Sequence, residues 1–314
     1  MKKIIAMGMI KNSADVIETF IRANSIWADK FVLLDNMCTD RTVPILNSLQ
    51  EEGFDIQIIP DKEIAYFQKE KMNALLEYVV ENYDPEFIIP IDDDEILSCE
   101  DGYDIKNRIM GLSRNEIHSV YWKVYFPTRE DDPDEICVAR RQRNRFKVDD
   151  KTMSATKIII PGALCRPDKY PKIAQGNHRI ESENDYKQVI DHDIFMAHFP
   201  IRSSEQLKSK ALVGWTGYLA MPKRDNNLGL QWRLAYDLVR KGLILSEEVL
   251  ELYAAMYLND PNSDHIEKEF IPINLPSECF DIKYTNKNEI NAMLNYCNCV
   301  EELALRYSEL AMND

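Results

Sequence analysis

The first hundred residues alternate apolar runs with helical patterns, and this alternation restricts the fold more than any other feature of the chain. "KKIIAMGMI" (2–10), "KFVLLD" (30–35), "DIQIIP" (55–60) and "EFIIPI" (86–91) read as buried strands. Between them Val16, Ile17, Phe20, Ile21 and Trp27 recur near helical spacing over 14–27. "DRTVPILNSLQEEG" carries Pro44 in a first turn and Gly53 near its end, and Met72, Leu75, Leu76, Val79 and Val80 share one side of "FQKEKMNALLEYVVENY". Strand–helix alternation implies right-handed crossovers and a mostly parallel sheet covered on both faces, so the fold class expected is α/β. Ligands of such sheets bind at the carboxyl ends of the strands. The segments there are "KNSAD", "DNMCTD", "DKEIAYF" and "DDDE", all polar and each carrying aspartate.

The pattern changes after residue 100. "SVYWKVYFP" (119–127), "ATKIII" (155–160) and "DIFMAHFP" (193–200) read as further strands, with the basic stretch "ARRQRNRFK" (139–147) between the first two. From Ser203 onward the reading is mainly helical. Residues 1–202 are therefore expected to form one domain and 203–314 a helical C-terminal appendage.

Bulk properties narrow the function. At 314 residues the chain can bury one large core with a smaller appendage. A formal charge of -15 argues against a nucleic-acid partner, since phosphate backbones select basic surfaces. No apolar run reaches the roughly 20 residues of a membrane span, and the N-terminus turns polar too early for a signal peptide. A cytoplasmic location is expected, with which peripheral association at the inner face of a membrane is compatible. Seven cysteines at irregular spacing make no disulfide framework, and Cys297 and Cys299 are expected as reduced thiols on a C-terminal helix.

The acid run "IDDDEIL" carries the sharpest chemistry. On an extended backbone Asp92 and Asp94 point one way and Asp93 the other. Such a pair suits a shared Mn2+ or Mg2+ ion, and manganese also accepts imidazole. A solvated turn is the competing explanation. His198, at the end of an apolar strand with Arg202 and Lys210 close in sequence, is either a ligand or a satisfied core histidine. Asp35 and Asn36 suit the reading of a nucleobase edge and are equally good turn formers.

"MIKNSADVIETFI", "LLDNMCTDRT", "IPIDDDEIL" and "HFPIRSSEQLKSKALVGW" occur in the order of the motifs of family 2-like glycosyltransferases with the GT-A fold. The chain resembles the bacterial branch with D-x-D-E and H-[FY]-P-I-R-S motifs over residues 3–215. The resemblance implies a nucleotide-sugar donor, a divalent cation and inversion at the anomeric carbon, with a glycan or lipid-linked saccharide as acceptor. It implies that Asp35 and Asn36 hold the base and ribose, and that Asp92, with Asp93 beside it, lies near ribose or sugar hydroxyls and the metal. Asp94 would ligate the metal, and His198 would add a metal or diphosphate contact. Lys71 or Lys69 would face the donor. Lys157, Arg202 and Lys210 are candidates to stabilise the leaving diphosphate. The general base is sought in "GNHRIESENDY", with Glu181 first, Asp185 second and His178 as an acceptor contact. "DNMCTD" departs from the family's usual loop, which leaves base selectivity open.

Three other readings are weighed. A phosphohydrolase with Asp92 as nucleophile prefers its D-x-D near the chain start and a hydroxyl residue at Ile96. A nucleotidyltransferase opens with a glycine-rich basic loop, whereas "MGMIKNSAD" has a single glycine. A non-catalytic glycan- or nucleotide-binding protein is the alternative from a different class.

Overall fold

The computed structural model describes residues 3–99, 104–147, 155–166, 169–181, 186–222, 229–243, 245–258 and 266–313, with residues 310–313 by backbone alone. Strand β1 (Ile4–Ile10) leads through helix α1 (Ile17–Asn24) to β2 (Lys30–Asp35). Helix α2 (Thr42–Glu52) then leads to β3 (Ile56–Pro60), and α3 (Gln68–Tyr83) to β4 (Phe87–Pro90). The four strands are parallel in the order β3-β2-β1-β4. Ile4, Ala6 and Ile10 of β1 share one core with Phe20 and Ile21 of α1 and Leu46 and Leu49 of α2. Ile5 and Met7 face the other way, into a core with Met72, Leu75, Leu76 and Val79 of α3. Both faces are covered, which is why these strands read as unbroken apolar runs. The α/β fold with a central parallel sheet flanked by helices is therefore present.

Beyond β4 come β5 (Glu95–Cys99), α4 (Ile105–Gly111), β6 (Ile117–Phe126), α5 (Val138–Arg141), β7 (Asn144–Phe146), β8 (Thr156–Pro161) and β9 (Gln188–His198). Strand β8 joins the parallel sheet by running antiparallel to β4, and it pairs β6 in the same sense. Strand β9 lies parallel to β6 and antiparallel to β5. The β5–β9 register sets Glu95 opposite His198, so two segments about a hundred residues apart meet at one point.

The helices after residue 203 are α6 (Ser204–Leu219), α7 (Leu230–Arg240), α8 (Glu247–Ala255) and, after a strand, α9 (Ala292–Asn313). The side chain of Ser203 caps α6 by accepting from the Gln206 N–H. Cys297 and Cys299 lie on α9, and all seven cysteines are free. The mainly helical reading of this stretch did not include that strand, β10 (Lys268–Phe270), which extends the sheet antiparallel to β7. Charge pattern explains it: Arg145 and Lys147 of the basic stretch pair with Glu269 and Glu267 of "EKEF". Two of the five basic residues of that run are thereby paired.

The segment before α9 returns to the N-terminal half and is anchored by one carboxylate. Glu18 of α1 is fully buried and accepts the backbone N–H groups of Lys283, Tyr284 and Thr285 at 2.8, 2.8 and 2.7 Å, and Arg22 Nε at 2.9 Å. Arg22 and Lys283 also bind Glu52, and these bonds depress its pKa from the ordinary 4.5 to about 2. Removing Glu18 leaves three N–H groups without partners and the buried Arg22 with Glu52 as its one remaining carboxylate. Glu18→Ala is therefore expected to cost about 3–5 kcal/mol in urea unfolding, with faster amide exchange at 283–285. Because the folded pKa of Glu52 is depressed, its contribution is fully present above pH 4.5 and is lost as pH falls toward about 2. Glu52→Gln is expected to flatten the acid limb of the stability profile over that window.

Candidate functional site

The acidic turn is placed by a close backbone approach. Ile91 N donates to Met7 O at 2.9 Å, and a Cβ on Gly8 would lie 2.2 Å from Ile91 O, so only glycine fits there. The chain then turns: Glu95 N donates to Asp92 O at 3.1 Å, and the Glu95 carboxylate accepts Asp92 N at 2.9 Å. Residues 92–94 are thus a turn at the carboxyl end of β4 and not extended strand. The alternation expected of Asp92, Asp93 and Asp94 does not apply, and each carboxylate meets a different set of partners.

Asp92 receives Lys157 Nζ at 2.6 Å and Asn177 Nδ2 at 3.3 Å. Lys157 is fully buried, also lies 3.2 Å from Glu95, and sits 5.1 Å from the centroid of the Trp122 ring. Burial works against the lysine's charge, but Asp92 and Glu95 outweigh it and raise its pKa. The buried Glu95 accepts Trp122 Nε1 at 2.6 Å. Burial, with Asp92 adding to it and Lys157 opposing, pushes the Glu95 carboxyl up to about 8. Asp93 accepts the Ser13 hydroxyl and, at 3.4 Å, Lys11 N. Burial and the neighbouring Asp94 raise it to about 7.

Asp94 is the convergence point. Lys210 Nζ of α6 lies 2.9 Å away, Arg202 NH1 3.5 Å and His198 Nε2 3.4 Å. Burial opposes its ionisation, yet these cationic and imidazole neighbours hold it well below the usual carboxylate range. His198 is buried, stacked on Trp122 at 4.2 Å and met edge-on by Tyr257 at 5.1 Å. Desolvation lowers its pKa despite Asp94, which keeps the imidazole neutral at pH 7. Its Nδ1 is buried without a hydrogen-bond partner among the described residues. Arg202 is doubly bound to Asp15 at 2.7 and 2.9 Å.

A second polar group follows β2 and β3. Asp35 accepts Cys38 N at 2.8 Å, and Lys11 Nζ binds the Asn36 and Met37 carbonyls. Asn36 donates to Asp61 at 2.8 Å and to Glu63 O at 2.6 Å, and Lys71 binds Asp61 at 2.6 Å. Tyr66 belongs to the acidic turn's surroundings: burial raises its hydroxyl pKa far above the ordinary value, and Asp92, Tyr257, Asp94 and Asp93 add to the effect.

The structure therefore gathers Asp92, Asp93, Asp94, Lys157, His198, Arg202 and Lys210 about one turn, and Asp35, Asn36 and Lys71 about the neighbouring loops. Glu181 is engaged elsewhere, with Lys69 at 2.7 Å in a half-exposed pair. Asp185 lies outside the described residues. The segment 176–186 reaches the turn instead through Asn177 and through His178, whose ring meets Trp122 edge-on at 4.9 Å. Burial, reinforced by Lys157, holds His178 down at about 4. Sequence reasoning did not single out Trp122, Asn177, Ser13, Asp15 or Tyr66. Of these, Ser13 and Asp15 lie within "KNSAD", the polar segment at the carboxyl end of β1.

No protein-family model matches the sequence, and no curated protein matches it. Among solved structures the chain is similar to a mannosyltransferase from Pyrobaculum calidifontis in complex with GDP-Man and Mn2+ (11% identity, TM-score 0.42, 81% of this chain and 73% of that one). It is also similar to glucosyl-3-phosphoglycerate synthase from Mycobacterium tuberculosis in complex with Mn2+, uridine diphosphate and glucosyl-3-phosphoglycerate (14%, 0.36, 73% and 83%). A third likeness is to HddC from Yersinia pseudotuberculosis (11%, 0.31, 64% and 95%). At such identities and scores these likenesses assign neither activity nor ligand to this chain.

Lys157 supplies the charge that allows Asp92 and Glu95 to sit side by side. Lys157→Met is expected to cost about 3–5 kcal/mol in denaturant unfolding, because it strands buried carboxylates. Adding Glu95→Gln should recover part of that loss. Purely additive losses would show that the pair is not coupled.

Proposed function

We propose that the protein is a GT-A-type glycosyltransferase that moves a sugar from a nucleotide-sugar donor to a glycan or lipid-linked acceptor. The observation that carries this reading is the convergence at Asp94 of His198, Arg202 and Lys210, beside the Asp35–Asn36–Lys71 group on the same rim. A nucleoside diphosphate needs both: polar groups for its base and ribose, and positive charge for its phosphates.

The charge balance fits a divalent cation. Five carboxylates (Asp15, Asp92, Asp93, Asp94, Glu95) face three cations (Lys157, Arg202, Lys210); with Glu95 pushed up to about 8 and Asp93 to about 7 the cluster is near balance at pH 7, and a bound divalent cation would favour the ionised form of both. Among the described residues no three His, Cys, Asp or Glu side chains are grouped to hold an ion. Asp94 and the neutral His198 would accordingly hold Mn2+ or Mg2+ together with donor phosphates and water, the pattern usual for magnesium sites. When bound, the cation supplies positive charge where the leaving diphosphate develops its negative charge. Lys210 and Arg202 would add fixed donors for the same oxygens. Asp92, fixed by Lys157 and Asn177, would meet ribose or sugar hydroxyls, and Asp93 would order the β1 loop through Ser13.

On this reading residues 1–202 carry the donor machinery and 203–314 the appended helices, with Lys210 reaching in from the appendage. No helix among the described residues is long and apolar enough to cross a membrane. A lipid-linked acceptor would then be met at a membrane surface.

Titration of UDP-, GDP-, CMP- and dTDP-sugars with and without Mn2+ tests the reading. One of them should bind in a metal-dependent way. Asp94→Ala and His198→Ala should each weaken that binding beyond the roughly 10–100-fold expected for loss of an outer-shell partner. Equal losses with and without Mn2+ would make His198 scaffold.

A further inference from the structure

A cleft of about 970 Å3 opens beside Arg202. Its wall is formed by parts of 127–141, by Ser203–Glu205 at the start of α6, by Leu245–Glu248 ahead of and into α8, and by 285–290 before α9. Four cations line it, and three are neutralised. Arg202 is doubly bound to Asp15, Arg129 is paired with Glu247 at 2.5 Å and with Glu248, and Lys287 is paired with Asp134. Arg141 differs. Its guanidinium donates only to backbone carbonyls, Glu135 O at 2.9 Å and Arg202 O at 3.3 Å, and it has no carboxylate at ion-pair distance among the described residues.

Asp15 and Asp131 act on this half-buried guanidinium only from beyond ion-pair distance, and its planar fork of N–H donors suits a carboxylate or phosphate in direct contact. Apart from apolar residues such as Pro127, Ile136, Leu245 and Ile290, the wall carries carboxylates, hydroxyls and amides, among them Asp131, Glu205, Ser246 and Asn286, which would repel a second negative charge and hydrogen-bond to hydroxyls. Arg202 also lies 3.5 Å from Asp94, so one guanidinium borders both the cleft and the acidic turn. We propose that this cleft is the acceptor subsite, and that Arg141 takes the single anionic group of an otherwise uncharged, hydroxyl-rich acceptor. The term acceptor rests on the transferase reading above; the binding chemistry does not.

Ligand-observed NMR titration of the full chain tests this with glucuronate, glycerol 3-phosphate and, as the uncharged control, glucose. A nucleoside diphosphate and Mn2+ are present to fill the donor site. One anionic probe is expected to bind at least about tenfold tighter than glucose, and which one does so distinguishes a carboxylate from a phosphate. Arg141→Gln should abolish that preference, as expected for losing a charge-assisted bond, and leave nucleotide affinity unchanged. Arg141 also ties backbone segments together, so Asn286→Trp, which fills the cleft from an exposed position, provides a second arm and should weaken both anionic probes. Equal binding of glucose and both anions, or anion binding that survives both variants, overturns the proposal. Should no nucleotide bind, the transferase reading falls, and the same titrations without nucleotide still decide what the cleft takes.

Discussion

Four consecutive acids in a largely buried turn cannot all stay ionised without opposing charge, and the arrangement around residues 92–95 follows from that constraint. Desolvating a carboxylate is expensive, and each neighbour of like sign raises the cost. The fold meets it from three directions: Lys157 from β8, Arg202 from the segment after β9, and Lys210 from α6. Backbone and hydroxyl donors take the remainder, through Asp92 N on Glu95 and Ser13 on Asp93. The antiparallel strands and the first helix of the C-terminal part therefore do more than cover the parallel sheet. Without them its carboxyl edge would hold a cluster of uncompensated charge.

Much of this was legible in sequence, and what was legible is local. The four parallel strands follow from apolar runs of strand length separated by helical periodicity. The polar segments behind each run are visible because sheet topology fixes where strand ends lie. His198 and Arg202 stood out because they closely follow an apolar strand within a recognisable motif. The rest depends on long-range pairing. The β5–β9 register brings Glu95 to His198, yet "EILSC" reads equally well as the return of a loop to the core. Strand β10 is three residues long, and Glu269 within it and Glu267 just before it meet Arg145 and Lys147. Glu18 looks like an exposed helix acid until a segment more than 260 residues later closes over it.

The residues that sequence reasoning passed over share a physical character. Trp122 and Asn177 belong to no charged cluster, and their importance is in what they join. Asn177 has a positive φ and holds Asp92 from a turn whose preceding Gly176 has a positive φ of its own. In sequence, "QGNH" signals a turn and nothing about which carboxylate the turn will face. Asp15 was visible only as one more acid of a polar loop. Its role appears once Arg202 is seen to be shared between it and Asp94.

Trp122 shows why the two halves of the acidic turn act as one unit. Its indole N–H is bound to Glu95, on the Lys157–Asp92 side, while its ring stacks on His198, on the Asp94 side. Rotating the ring to improve one contact would break the other, so the indole fixes the spacing between the two carboxylate environments. His178 meets its edge and Tyr257 its tilted face, closing the remaining freedom from two further segments. A site that must place a flexible diphosphate benefits from walls that do not adjust, because disorder in the binding groups would have to be frozen on each binding event. The His198 imidazole, desolvated and hemmed by aromatic rings, is therefore held in both position and protonation state before any ligand arrives.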